Sequence, residues 1–157
     1  MSEFSLPTSH LLHLKNIISL DYGEKVIGLA SFCVNRDPFP SPYGRILNTS
    51  PEKVISDLKK IMQDESVDLL VIGVPHLTDG QTTSTTQKAK QFISFIREHF
   101  TLPVEEQDET LSTFEAENRM KNSPRYNFQV DLKQIDAVAA CVILEDFIRR
   151  KKQTPDL

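Results

Sequence analysis

The pattern of apolar and polar positions in the first third of the chain predicts a small antiparallel sheet. Residues 16–21 form an apolar run that ends in Asp21, and residues 25–34 form a second run that we expect to pair with it as a hairpin. The segment 35–45 contains three prolines, which restricts it to a loop or a sheet edge. Ile46 and Leu47 then indicate a short third strand.

Beyond residue 50 the pattern alternates between helical and extended periods. Ser50 followed by Pro51 is a favoured helix start, and the apolar stripe behind it runs to about residue 64. The remaining predicted elements are a strand at 67–74, a helix at 83–99, a strand at 102–109, a helix from Ser112 to about Met120 and a helix at 131–150. Residues 67–74 are continuously apolar, which is typical of a strand buried on both faces.

This order of elements predicts an α/β fold with a mixed five-stranded sheet. An antiparallel meander is joined to parallel strands through helices that cover both faces. The 157 residues fit one domain, at 16–150. We expect a flexible N-terminal extension at 1–15 and a C-terminal tail at 151–157.

Charge and composition argue against a strongly basic protein, a cysteine-bound metal site and a membrane or secreted protein. The formal net charge is −4, so the chain lacks the overall basic character of many nucleic-acid-binding proteins. Cys33 and Cys141 have no metal-ligand spacing and are expected to be buried free thiols. No apolar stretch approaches the length of a membrane span, and the N-terminus lacks the pattern of a signal peptide, so a cytoplasmic protein without a membrane partner is expected.

Three groups of acidic residues lie where core building does not require them. Asp21 ends the first strand, Asp108 and Glu109 end the fifth, and Asp136 shares a helix face with apolar residues that should point at the sheet. Structural alternatives exist, because Asp21 can open a turn and Asp136 can interact with the helix dipole. Buried carboxylates are nevertheless rare unless they are paired or bound to a metal.

Convergence of these acids at one edge of the sheet would favour a cation site. Clustered carboxylates repel one another, and hard oxygen ligands select Mg²⁺ or Mn²⁺. Two such ions can support hydrolysis of a phosphodiester bond. The residues therefore predict metal-dependent phosphodiester chemistry.

Four motifs, in order along the chain, resemble those of the YqgF (RuvX) family of pre-16S rRNA nucleases or Holliday junction resolvases. They are LDYGEKVIGLA at 20–30, IGVPHLTDG at 72–80, DETLSTFEAE at 108–117 and IDAVAACVIL at 135–144. The resemblance covers about residues 16–150 and implies an RNase H-like fold. It also implies a nuclease that acts on structured RNA, in the 5′ maturation of pre-16S rRNA during ribosome biogenesis. Cleavage of DNA four-way junctions is the alternative.

The resemblance also implies roles for individual residues. It makes Asp21, Glu109 and Asp136 the catalytic acids, which with Asp108 would bind Mg²⁺ or Mn²⁺. Four further residues are the expected substrate contacts. Lys25 and Asp79 lie in the matching motifs, although Asp79 can equally form a plain turn. Thr82 and Arg125 are added because a hydroxyl and a guanidinium can contact phosphate. The partner would be pre-rRNA, a pre-ribosomal particle or a DNA junction, and the nuclease a monomer or a homodimer.

Two departures from the family pattern keep another class of function open. Val26 and Thr110 stand where the family has arginine, a residue suited to bidentate contact with phosphate. A nucleic-acid- or ribosome-binding module with weakened catalysis is therefore an alternative. A piece of a sugar kinase or actin-like protein is a third, although those proteins need two such domains.

Overall fold

The computed structural model of the chain describes Phe4 and residues 15–76, 83–109 and 112–153. Within these ranges five strands and four α-helices follow one another. They are β1 (Asn16–Asp21), β2 (Val26–Cys33), β3 (Ser41–Leu47), α1 (Pro51–Asp64), β4 (Leu69–Pro75), α2 (Ser84–His99), β5 (Val104–Glu109), α3 (Ser112–Lys121) and α4 (Ile135–Gln153), with a 3₁₀ turn at Pro124–Tyr126.

The strands form one mixed sheet in the order β3-β2-β1-β4-β5. The β1–β2 and β2–β3 pairs are antiparallel, and the β1–β4 and β4–β5 pairs are parallel. This arrangement confirms the predicted α/β fold with a meander joined to parallel strands. The third strand is longer than its apolar residues indicate, and it accommodates Pro42 because it lies at the edge of the sheet.

Local side chains fix the helix starts. The Ser50 hydroxyl accepts a hydrogen bond from the Lys53 amide at 3.2 Å, as the sequence predicts for α1. The last helix begins at Ile135 instead of residue 131, because the Asp131 carboxylate accepts hydrogen bonds from the Lys133 amide at 2.9 Å and the Gln134 side chain at 2.7 Å. These bonds hold a turn ahead of the helix.

Alternation along the strands divides the core between the two faces of the sheet. Helices α1 and α2 cover one face, over residues that include Ile18, Leu20, Ile27, Leu29, Leu70 and Ile72. Helix α4 covers the other, over residues that include Ile17, Ala30, Phe32, Leu69 and Val71. Phe4 is buried in this second core.

Helix α4 approaches the sheet closely at three positions where the strand residue beneath it is small: Ser19, Gly28 and Gly73. The buried Ser19 hydroxyl donates a 2.7 Å hydrogen bond to the Ala140 carbonyl oxygen of α4. A Cβ atom at Gly28 would overlap the backbone carbonyl of Asp136, and one at Gly73 would come within 2.5 Å of the Ile143 Cδ1. The absence of side chains at these two glycines therefore sets the height of α4 above the sheet.

Two sequence expectations concern thiols and membranes. Cys33 and Cys141 are free thiols, Cys141 buried and Cys33 half-buried. Within the described ranges, no helix combines the length and the apolar character needed to cross a membrane.

The Gly28→Ala substitution tests whether the close packing of α4 on the sheet depends on a glycine at this position. Because the added Cβ would overlap the Asp136 backbone, we expect the free energy of unfolding to fall by roughly 1–3 kcal/mol or more. Gly44→Ala is the matched control, since no atom lies within 4 Å of the Cβ position in that strand. Urea unfolding of both variants measures the difference, and equal stability of the two would contradict the role of Gly28.

Candidate active site

Asp21 is the last residue of β1 and lies on the face of the sheet that α4 covers. Strand alternation places it on the same side as Ser19, and its antiparallel partner is Gly28. Because Gly28 has no side chain, Asp136 occupies the space above it, next to Asp21. The Asp21 carboxyl is half-buried, and burial, followed by repulsion from Asp136, raises its pKa to about 7.

Asp136 lies in the first turn of α4 and is also half-buried. Burial raises the pKa of its carboxyl, and the positive charge of Arg45 acts in the opposite direction. Arg45 is exposed on β3, directly paired with Gly28. The row Arg45, Gly28, Asp21 therefore crosses three strands beneath the start of α4.

Glu109 ends β5 on the same face of the sheet. It pairs with Pro75 of β4, and only 7% of its surface is exposed. Burial raises the pKa of its carboxyl, and a hydrogen bond and repulsion from Asp146 raise it further, ahead of smaller effects of Asp21 and Asp108. The buried Glu109 Oε1 has no hydrogen-bond partner in the described part of the chain. Asp21 is thus within electrostatic reach of both Asp136 and Glu109, and all three predicted acids lie on the α4 side at the same end of the sheet.

Asp146 is a fourth carboxylate at this edge that the sequence motifs do not mark. It lies in α4, near Glu109, and Arg149 is 3.5 Å from its Oδ1 atom. The acidic pair at 145–146 is followed by four basic residues, a pattern that is typical of a solvated helix end with salt bridges. Only the crossing of α4 over β5 indicates that Asp146 approaches the site.

Asp108 lies on the other side of β5. Alternation turns its side chain away from the α4 face, its carboxylate is 83% exposed, and its Oδ1 atom is 3.1 Å from the His76 Nε2. The His76 backbone amide also donates a 2.7 Å hydrogen bond to the Glu109 carbonyl oxygen. The structure therefore places Asp108 near the edge but outside the face that the three acids share, and its role as a metal ligand stays a prediction.

The structure describes two of the four predicted substrate contacts. Lys25 is exposed in the turn that follows β1. Arg125 is exposed in the 3₁₀ turn, where its guanidinium lies 5.8 Å from the centroid of the Tyr126 ring. Asp79 and Thr82 lie outside the described residues.

Of the two positions where the chain lacks the arginine of the family motifs, the structure describes one. Val26 begins β2, where it is half-buried and pairs with Leu47 of β3. Thr110 lies outside the described residues.

The chemistry of the acids suits a hard divalent cation. Asp21, Glu109 and Asp136 offer only oxygen donors, and the buried Glu109 Oε1 lacks a partner. In the described ranges no three acidic, histidine or cysteine side chains are grouped closely enough to hold a metal ion. Mg²⁺ commonly uses one or two carboxylates together with water and substrate phosphate. The neighbouring pair Asp21 and Asp136 therefore fits Mg²⁺ or Mn²⁺.

Comparison with known proteins gives a consistent family match. A model of the RuvX family, described as Holliday junction resolvase, matches residues 15–150. A protein of Maridesulfovibrio salexigens named "Putative pre-16S rRNA nuclease" is 33% identical over 137 residues, which cover 85% of this chain and 98% of that protein. A protein of the same name from Chlorobium luteolum is 34% identical over 141 residues, covering 87% and 95%.

Solved structures show the same fold at low sequence identity. The crystal structure of the fowlpox virus Holliday junction resolvase superposes with a TM-score of 0.53 and 12% identity, over 86% of this chain and 99% of that one. This likeness confirms the RNase H-like arrangement of the sheet and helices.

The Asp21→Asn substitution tests whether the carboxylates repel one another in the folded protein. Asparagine keeps the shape of Asp21 but removes the cost of burying a charge beside Asp136. At pH 8 in EDTA we expect Tm to rise by roughly 2–8 °C, since 1 kcal/mol corresponds to about 2–4 °C for a chain of this size. Asp64→Asn, at an exposed position of α1, should change Tm little. A lower Tm for Asp21→Asn would contradict the electrostatic strain assigned to this site.

Proposed function

The chain belongs to the RuvX family, and on this premise we propose that it cleaves structured RNA in a reaction that depends on a divalent cation. It is a nuclease, a hydrolase of phosphodiester bonds. Its relatives from Maridesulfovibrio salexigens and Chlorobium luteolum support pre-16S rRNA as the substrate, with cleavage contributing to maturation of the 5′ end.

One observation carries the chemistry of this proposal. Asp21, Glu109 and Asp136 come from three separate elements, yet all lie on the α4 face at one edge of the sheet. Each carboxyl has a raised pKa, so the fold holds them together at an electrostatic cost. An arrangement that opposes stability in this way is typical of a functional site.

Asp21 and Asp136 are the proposed direct ligands of Mg²⁺ or Mn²⁺, and Glu109 adds a third carboxylate within electrostatic reach of Asp21. When bound, a divalent cation would offset the charge of the carboxylates, and it would supply the means to activate water and stabilise the leaving oxygen in hydrolysis. The end of β1 holds Asp21 on a rigid backbone, and α4 fixes Asp136 through its contact with Gly28. The protein thereby orients its ligands before the substrate arrives.

Arg45 is the proposed contact for a substrate phosphate. It lies in the same row as Gly28 and Asp21, its charge reaches Asp136, and its side chain forms no ion pair within the described ranges. A guanidinium at this position can hold a phosphate next to the acids in bidentate fashion. It supplies on β3 the type of contact that Val26 lacks on β2, and exposed Lys25 can support it.

A pre-rRNA nuclease of this kind would act in the cytoplasm, and as a monomer or a homodimer it would need only one site to cut one strand. Resolution of a DNA junction is the second candidate, and the description of the family favours it. That reaction would require a symmetric dimer with two sites on two strands.

Cleavage with defined metals tests the proposal directly. An RNA that spans the 5′ end of pre-16S rRNA and a four-way DNA junction would each be incubated with Mg²⁺, Mn²⁺ or EDTA. We expect metal-dependent cutting of the RNA, reduced about 100-fold or more by Asp21→Asn because a ligand is lost. In the same samples Mn²⁺ should raise the Tm of the parent protein and not that of the variant.

Asp64→Asn is the matched control for this assay and should cleave like the parent. Paired symmetric cuts in the junction, with the RNA left intact, would replace the RNA proposal with resolvase activity. If neither substrate is cut by folded parent protein with metal present, the chain is a binding module.

Arg45→Ala tests the phosphate contact. If Arg45 neutralises one phosphate, the slope of log K for RNA binding against log salt should become shallower by about 1, and binding should weaken for all sequences alike. Arg36→Ala is the control, because Arg36 is exposed at the opposite end of β2 beside Asp37. Identical salt slopes for the parent and Arg45→Ala would exclude the contact.

A further inference from the structure

A concave surface lies at the same end of the sheet as the acids, but on the opposite face. It is a cleft of about 240 Å³ between the β1–β2 turn and helices α1 and α2. Its lining combines aromatic, amide and basic side chains: Tyr22, Asn48, Pro51, Val54, Lys88, Gln91, Phe92 and Phe95. The volume is below the roughly 300–1,000 Å³ of pockets for drug-sized ligands, which points to a smaller group.

The cleft has an aromatic wall. The Tyr22 ring lies 4.6 Å from the Phe92 ring, centroid to centroid, with 33° between the two planes. Tyr22 and Phe95 are half-buried, so each retains accessible surface, whereas Phe92 is almost covered. Aromatic rings of this kind stack on any nucleobase, because every base has a π face.

Polar groups with unused hydrogen-bonding capacity stand around this wall. The Asn48 side-chain amide donates to the Gly23 carbonyl oxygen at 3.0 Å, which fixes its orientation, and its own carbonyl oxygen accepts no hydrogen bond from the described residues. Gln91 is exposed, and its amide forms no hydrogen bond within the same ranges. Amides are well suited to the edge of a base, since they offer both donors and acceptors.

Lys88 adds a positive charge at the mouth of the cleft. It pairs with Glu24, but both side chains are at least half exposed to solvent. An exposed ion pair of this kind contributes little stability, about 0–1 kcal/mol. The Lys88 ammonium can therefore exchange Glu24 for a phosphate with little loss.

The position of the cleft connects it to the proposed cleavage site. Tyr22 directly follows Asp21, so their Cα atoms are about 3.8 Å apart, while strand alternation turns the two side chains to opposite faces. A nucleic-acid strand that leaves the acids across the β1–β2 turn reaches Tyr22 within a short span of backbone.

We propose that this cleft binds one unpaired nucleobase of the substrate, stacked on Tyr22, with its edge toward Asn48 and Gln91 and its phosphate near Lys88. The inference rests on the proposed nuclease function and specifies its substrate, which is a strand with at least one unpaired nucleotide beside the scissile bond. Recognition is by stacking and shape, so it tolerates different bases.

The test measures binding without cleavage. The probe is a single-stranded RNA of eight nucleotides carrying 5′-fluorescein, titrated in EDTA and followed by anisotropy, beside the same probe with all bases replaced by abasic sugars. Tyr22→Ala should weaken binding of the intact probe by roughly tenfold, and Tyr22→Phe should retain it. The abasic probe should bind the parent more weakly than the intact probe does, and it should not distinguish the parent from Tyr22→Ala.

Two further variants keep the test decisive if Tyr22→Ala unfolds. Gln91→Ala and Lys88→Ala change exposed residues of α2, and each should weaken binding of the intact probe several-fold. Tyr43→Ala on β3 and Lys60→Ala on α1 are matched controls outside the cleft and should bind like the parent. Parental affinity in Gln91→Ala and Lys88→Ala, or equal binding of intact and abasic probes by the parent, would overturn the proposal.

The outcome is separable from the cleavage assay, because EDTA removes the metal. Base-dependent binding without metal-dependent cutting would support the cleft while overturning the nuclease proposal. Metal-dependent cutting without base-dependent binding would support the nuclease proposal and overturn the cleft.

Discussion

The close approach of α4 to the sheet is the constraint on which the site depends. A helix normally rests on a layer of side chains, but where α4 crosses Ser19, Gly28 and Gly73 that layer is a single hydroxyl group or is missing. The lowered helix places Asp136 beside Asp21, and its far end reaches Glu109 through Asp146. The geometry of the acids is thus a result of core packing, and a methyl group at Gly28 would act on the site as directly as a change to an acid.

The same packing explains why the acids are strained in the absence of a cation. Their raised pKa values have burial as the first cause and mutual repulsion as a further cause for Asp21 and Glu109. Such a cluster opposes folding, and it persists because the apolar contacts on both faces of the sheet hold α4 and the strand ends in place. The two apolar cores therefore provide the stability of the domain, while the acids at the strand ends provide the proposed chemistry. The nucleobase cleft lies on the face of the sheet that α1 and α2 cover.

Sequence patterns predicted most of the fold and part of the site, for identifiable reasons. Period-2 and helical spacing located every strand and helix except the first part of β3, and strand ends predicted that Asp21 and Glu109 lie at the same end of the sheet. The patterns did not separate Asp108 from Glu109, because adjacent residues of a polar strand differ in face only once the register is known. Arg45 and Asp146 carry no local signal. Their positions follow from the pairing of β3 with β2 and from the path of α4, which are properties of the whole sheet.

Because β5 is almost entirely polar, its register depends on two arginines from neighbouring helices, Arg97 and Arg150. This strand reads VEEQDE, so apolar alternation cannot distinguish its register from one shifted by a single residue. Arg150 of α4 donates to the Gln107 side chain at 2.9 Å and to the Glu106 carbonyl oxygen at 3.2 Å, and Arg97 of α2 donates to the Val104 carbonyl oxygen at 2.8 Å. A slip by one position would present Asp108 to the acids and turn Glu109 away. Arg97 and Arg150 therefore hold β5 in register. Without them the protein can still fold, but with Asp108 in place of Glu109 at the candidate active site.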